Sequence, residues 1–199
     1  SSMTTPNKLS IFRLCLIPII VFLKIFPYAQ FGIAIPYATI GFVSVSYLNI
    51  AILALFTIAS ITDFLDGYIA RKYNQITTFG KFLDPIADKA LTTTMFIIFA
   101  TENIIPMLVP LVMIWRDIIV DGIRMVSANR NIVVAAGPLG KAKTVAQMVT
   151  IIFILLNNLP FALWYIPATD ILIWLSCLLS VLSGVSYFLQ AKDVILESK

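Results

Sequence analysis

The apolar residues of this chain fall in long runs that would be hydrophobic on every side of a helix, and that feature decides where such a chain can fold. A helix apolar all round has no face to turn to water; a hydrocarbon slab ~30 Å thick accepts it once it reaches about 20 residues. Across the chain 60% of residues are hydrophobic and 12% charged, against about 45–50% and about 25% in a soluble domain. A soluble globular fold is excluded. No polar/apolar alternation of the length a barrel strand needs is evident, which argues against an outer-membrane barrel. The 199 residues allow about six crossings with short connections. The expectation is an all-α polytopic membrane protein with six transmembrane helices, residues 1–199 forming a single membrane domain. Ser1 and Ser2, ahead of Met3, read as a remnant of cloning, and the first apolar run is too long for a secretory signal.

The runs and their breaks predict helices over about Leu9–Phe26, Leu48–Arg71, Phe82–Ala100, Pro106–Val126, Gly140–Leu156 and Ile171–Gln190. With six crossings both termini share a side. Lys8, Arg13, Arg71, Lys72, Lys81, Lys89, Arg116, Arg124, Arg130, Lys141, Lys143, Lys192 and Lys199 all fall at or near that side, with Lys24 the exception, snorkelling from the far end of the first helix. The positive-inside rule makes that side cytoplasmic. The net charge of +4 then serves orientation, anionic lipid and phosphate binding, and is no sign of a nucleic-acid partner. The two cysteines, Cys15 and Cys177, lie in apolar stretches and read as small buried hydrophobes. There is no histidine, so any metal must be a hard, oxygen-liganded cation.

Four of the ten acidic residues are Asp63, Asp66, Asp84 and Asp88. The first two are three apart and the last two four apart, so each pair shares one helix face. The short Arg71–Gly80 connection predicts an antiparallel hairpin gathering all four at the cytoplasmic end. Converging carboxylates need a counter-charge. Divalent ions would supply it, four carboxylates sufficing for two, as in phosphoryl displacement; the alternative is pairing with Arg71, Lys72, Lys81 and Lys89. Gly67 and Gly80 leave room beside these carboxylates, for a ligand or for helix packing.

Asp63-Phe-Leu-Asp66-Gly67-Tyr-Ile-Ala70-Arg71, eight residues, then Gly80-Lys-Phe-Leu-Asp84-Pro-Ile-Ala-Asp88 resembles the signature of the CDP-alcohol phosphotransferases, D-x-x-D-G-x-x-A-R-x(8)-G-x-x-x-D-x-x-x-D, at every fixed position. The resemblance implies transfer of a phosphatidyl group from CDP-diacylglycerol to an alcohol with release of CMP, in a homodimer within the bacterial cell membrane, the active site at the cytoplasmic end of the bundle. It implies that Asp63, Asp66 and Asp84 bind Mg²⁺ or Mn²⁺, two ions in all, with Asp88 completing the second site and acting as general base. Gly67, Ala70 and Gly80 would line the cytidine and ribose, and Arg71 would approach the diphosphate.

The acceptor must be read outside the signature. Arg116 and Arg124, eight apart on one helix face, with Lys141 and Lys143, form either a pocket for an acceptor phosphate or, for the arginines, pairs with Asp117 and Asp121. Pro6-Asn7-Lys8-Leu9-Ser10-Ile-Phe-Arg13 and Leu139-Gly140-Lys141-Ala-Lys143-Thr144 are similar to the branch of the family whose acceptor is sn-glycerol 3-phosphate; Asp121 departs from it. Phosphatidylglycerol, serine or an inositol phosphate as acceptor would use the same chemistry. Gly137-Pro-Leu-Gly140-Lys141 is no P-loop, its glycines being too close together. A cation transporter would need ionisable groups near the bilayer midplane, whereas these gather at one boundary. Ser180 and Gly184, four apart, would let two backbones approach, within the chain or across a dimer.

Overall fold

The computed structural model describes residues 2–134 and 137–196; Ser1 and Lys199, named above, lie outside the described residues. It contains α1 (Thr5–Ile25), β1 (Tyr37–Ile40), β2 (Val43–Ser46), α2 (Tyr47–Lys72), α3 (Thr78–Thr101), α4 (Leu108–Asn129), α5 (Pro138–Leu155) and α6 (Ala168–Ile195), with short 3-10 turns at Tyr28–Phe31 and Phe161–Trp164. The protein is thus predominantly α-helical. Among the described residues three helices, α2, α5 and α6, are long and apolar enough to cross a membrane.

Local chemistry sets these boundaries. A proline in its first turn opens α1, where the missing N–H costs nothing. Ser46 caps α2 by accepting from the Asn49 amide at 3.0 Å, and Arg71 and Lys72 sit in its last turn against the carbonyl end of the dipole. Asp170 and Lys192 complement the two ends of α6 in the same sense.

The β-hairpin departs from the sequence reading. Val43-Ser44-Val45-Ser46 does alternate, and its valines are buried against Leu159 with Leu156, Ala162 and Leu163 around them. Gly41 takes the left-handed conformation at the turn, with φ 61°, which a two-residue hairpin loop favours. Strands of four residues carry too little periodicity to stand out beside helical runs.

The contacts divide the chain into two compact units, Ser1–Ile98 with Leu155–Ile166 and Phe99–Ile154 with Pro167–Lys199. In the first, α1 packs along α2; Arg13 meets Asp63 near one end of the pair, and Lys24 donates to Asn49 at 2.8 Å near the other. Lys24 is therefore tied to a neighbouring helix rather than simply snorkelling. In the second, α4 packs along α6.

The polarity of α6 is turned inside out. Ser176, Ser180, Ser183, Tyr187 and Ala191 are buried, while Leu175, Leu178, Val181, Leu182, Val185 and Leu189 are exposed. Lipid solvates leucine as well as a protein core does, so small residues go where backbones must approach. Ser176 shares a hydrogen bond of 2.7 Å with Thr150 of α5. A β-carbon at Gly184 would lie 3.1 Å from Arg116 Cγ of α4, so this glycine serves packing within the chain. Cys15 is exposed and Cys177 half-buried, contrary to the buried pair expected; on outward apolar surfaces a thiol is simply another small apolar group. Gly184→Leu is expected to force α4 from α6 at a cost of about 1–3 kcal/mol, lowering the unfolding temperature in detergent, whereas Leu178→Ala, at a position 54% exposed, changes it by under about 0.5 kcal/mol.

Candidate functional site

The two predicted aspartate pairs are brought together in the first unit, and α1 is what joins them. Arg13, 1% exposed, directs its guanidinium among all four carboxylates. Nη1 lies 2.7 Å from Asp63 Oδ1 and 3.6 Å from Asp88 Oδ1; Nη2 lies 2.5 Å from Asp66 Oδ2 and 3.8 Å from Asp84 Oδ1. Ser10, one turn earlier, donates to Asp84 Oδ1 at 2.5 Å and lies 3.1 Å from Asp66 Oδ2. Asp66 is buried with Arg13; Asp63, Asp84 and Asp88 are part-exposed. The cluster is thus anchored on Asp66 and open on its other carboxylates.

Arg71, Lys72 and Lys81 are exposed, and each of the four aspartates has a carboxylate oxygen within 3.8 Å of the Arg13 guanidinium. No group of three or more carboxylates among the described residues is arranged as a metal-holding set; a guanidinium stands at the centre instead. The donor chemistry nevertheless fits a hard divalent cation: oxygen ligands only, converging from two helices on a point where positive charge is already stabilised.

Pro85, inside α3 between Asp84 and Asp88, has no N–H to give the carbonyl one turn back. Thr77 caps α3 by accepting from the Gly80 amide at 3.0 Å, and it exchanges hydrogen bonds with the buried Asn7 of α1 at 3.1 and 3.2 Å. A β-carbon on Gly80 would lie 2.8 Å from Asn7 Oδ1, so its missing side chain makes room for α1. Gly67 leaves its space to Arg71, whose Nη1 would be 3.3 Å from a β-carbon there. Ala70 is half-buried nearby in sequence.

In the second unit the basic residues are organised by Tyr187 and Asp117. Arg124 donates to the Tyr187 hydroxyl at 2.5 Å, and the guanidinium carbons of Arg124 and Arg116 lie 5.0 and 5.5 Å from its ring centroid, within cation–π range. Arg116 donates to Ser183 at 3.2 Å and pairs with Asp117 at 3.0 Å, and the Lys143 ammonium is 3.9 Å from the same carboxylate. Lys141 is exposed. Arg124 also lines a cavity of about 450 Å³ with Ala128, Asn131 and Ile132–Val134. Of the two alternatives, the pairing with Asp117 is seen for Arg116, and Lys143 approaches the same carboxylate. Sequence reasoning gave Asn7, Ser10 and Arg13 a place in the Pro6–Arg13 segment, and Arg13 a part in orientation, but no place for them or Tyr187 in the site. The signal for Arg13 was a lone charge within an apolar run; Tyr187 continues the stripe of small buried residues along α6.

A predominantly helical chain carrying this signature on two consecutive helices, α2 and α3, defines the class. The family model for CDP-alcohol phosphatidyltransferases matches residues 3–182, and the chain belongs to that family. It is 41% identical over 183 residues to a Bacillus subtilis protein named CDP-diacylglycerol–glycerol-3-phosphate 3-phosphatidyltransferase, covering 92% of both chains. A Rickettsia bellii protein of the same name is 35% identical over 188 residues, covering 94% of each. A Salmonella choleraesuis protein, also so named, is 32% identical over 197 residues, covering 96% of this chain and 97% of its own.

Gly80→Ala is expected to displace Asn7 and cost about 1–2 kcal/mol. A double-mutant cycle should show that penalty shrinking in an Asn7→Ala background, where the obstructing amide is gone.

Proposed function

We propose that this chain transfers the phosphatidyl group of CDP-diacylglycerol to sn-glycerol 3-phosphate, yielding phosphatidylglycerophosphate and CMP for phospholipid synthesis. The observation that carries the reading is the complete signature from Asp63 to Asp88 within a chain whose relatives bear that activity in their names over nearly their whole length. Asp63, Asp66 and Asp84, with Asp88, would hold Mg²⁺ or Mn²⁺, two ions on this reading. When bound, such ions neutralise the diphosphate and the departing CMP.

Asp88 acts as general base. It accepts the proton of the acceptor hydroxyl as that oxygen bonds to the phosphorus bearing diacylglycerol; the bond from this phosphorus to the bridging oxygen breaks, and its electron pair leaves with CMP. Gly67, Ala70 and Gly80 line the nucleotide side, and Arg71 approaches the diphosphate. Arg116, Arg124, Lys141 and Lys143 hold the acceptor phosphate through charge-assisted bonds, with Tyr187 orienting the two guanidiniums. Asp117 keeps Arg116 and Lys143 side by side and is their competing anion.

The same reading places the whole chain, as one functional domain, in a bacterial plasma membrane. Six helices cross it, both termini and the active site are cytoplasmic, and the protein is a homodimer. Support comes from the one-sided basic residues and from a family model that runs through both compact units.

The test is CMP release by the purified chain with CDP-diacylglycerol and Mg²⁺, offering glycerol 3-phosphate, phosphatidylglycerol, serine or inositol phosphate separately. Turnover is expected with glycerol 3-phosphate alone. Asp88→Asn should lower kcat by about 10²–10⁴, and Arg124→Gln should raise the KM for glycerol 3-phosphate more than it lowers kcat. Turnover with another acceptor overturns the acceptor assignment, and an unaffected Asp88→Asn overturns the assigned base.

A further inference from the structure

Arg13 carries a permanent charge at 1% exposure inside an apolar helix, where an uncompensated ion would cost several kcal/mol. Its compensation is unusual in kind. A guanidinium paired for stability alone commonly takes one carboxylate in a bidentate fork. Here the two terminal nitrogens divide between Asp63 and Asp66 at 2.7 and 2.5 Å, with Asp88 and Asp84 within 3.8 Å, while Nε has no hydrogen-bond partner among the described residues. One positive charge thus faces four carboxylates, each within 3.8 Å.

We propose that Arg13 is a built-in counter-cation of the aspartate cluster, competing with divalent ions for Asp63 and Asp66. The proposal rests on the metal reading given above. A divalent ion binding these carboxylates needs oxygens at about 2.0–2.2 Å, and Arg13 already occupies Asp63 Oδ1 and Asp66 Oδ2, the latter also shared with Ser10. Two cations drawn to the same oxygens also repel each other in a medium of reduced dielectric. The guanidinium therefore holds the cluster together when no ion is bound and yields these oxygens when one is. A purely scaffolding Arg13 would have the opposite signature, because removing it would weaken ion binding.

The sign is measurable without turnover. The three tryptophans report thermal unfolding of the full chain in detergent, from EDTA to saturating Mg²⁺, for wild type, Arg13→Gln and Arg13→Lys; free Mn²⁺ measured by electron paramagnetic resonance gives binding directly. Ligand linkage turns affinity into a shift of Tm. Arg13→Gln is expected to unfold at lower temperature than wild type in EDTA, with its Mg²⁺ and Mn²⁺ midpoints about tenfold lower, as when a competing state populated about nine-tenths of the time is removed. Arg13→Lys, which keeps the charge and loses the fork, should fall between. An unchanged or raised midpoint in Arg13→Gln overturns the proposal. A variant that stays folded only when kept in saturating Mg²⁺ supports it, and one that unfolds with and without Mg²⁺ overturns it, since an ion then cannot replace the guanidinium. If neither wild type nor variant responds to either ion, the metal reading falls and this inference with it; a responding wild type beside an unmoved variant midpoint removes this inference alone.

Discussion

Charge withdrawn from water has to be answered nearby, and in the first compact unit one guanidinium and four carboxylates answer one another. Arg13 is tolerable at 1% exposure because Asp63 and Asp66 accept from it at 2.7 and 2.5 Å, and Asp66 is tolerable beneath the surface because Arg13 is there. Much of the surrounding detail serves that exchange. Ser10 spans α2 and α3 by contacting Asp66 and Asp84, and Thr77, fixed by Asn7, caps α3 so that its two aspartates are presented to α1. The glycine at position 80 lets α1 come close enough for this to happen. The structural cation and the ions of the proposed chemistry thus draw on the same carboxylates from the same two helices.

The second unit handles cations by a different device. Tyr187 presents a ring to Arg116 and Arg124 and a hydroxyl to Arg124, and the Ser176, Ser180 and Ser183 stripe gives α4 access to α6. Aromatic faces stabilise guanidinium without neutralising it. Arg124 donates to the Tyr187 hydroxyl as well, whereas Arg116 is also paired with a carboxylate. Asp117 is the counterweight, spoken for by both Arg116 and Lys143.

Helix existence was legible because apolar runs broken by proline and charge admit no other regular structure in a bilayer; the observed ends lie within a few residues of those expected. The aspartate constellation was legible because i, i+3 and i, i+4 spacings fix a face. The hairpin was not, since Tyr37–Ile40 and Val43–Ser46 are too short for periodicity to outweigh the helices around them. Arg13 was placed correctly in the chain yet given no role in the site, because a sequence shows which charges are near in number, and the residues it meets are fifty and more positions away. The arginines of α4 show a third kind of limit. Their shared face was readable, but Asp117 and Tyr187 share one guanidinium between them, an arrangement that depends on how α4 lies on α6.

Two tethers hold α1 to α2, and they lie far apart. Arg13 is bound to Asp63 and Asp66, and eleven residues on, about 16 Å along the helix axis, Lys24 is bound to Asn49. A pair of helices pinned at one point can pivot or slip past each other by a turn of about 5.4 Å; pinned at two, it has a fixed register. The Lys24 contact near the hairpin, which performs no chemistry, thereby sets how far along α2 the guanidinium reaches. Lengthening or shortening α1 by a single residue between the two would rotate Arg13 by about 100°, away from the carboxylates, while every one of the residues in the signature remained in place.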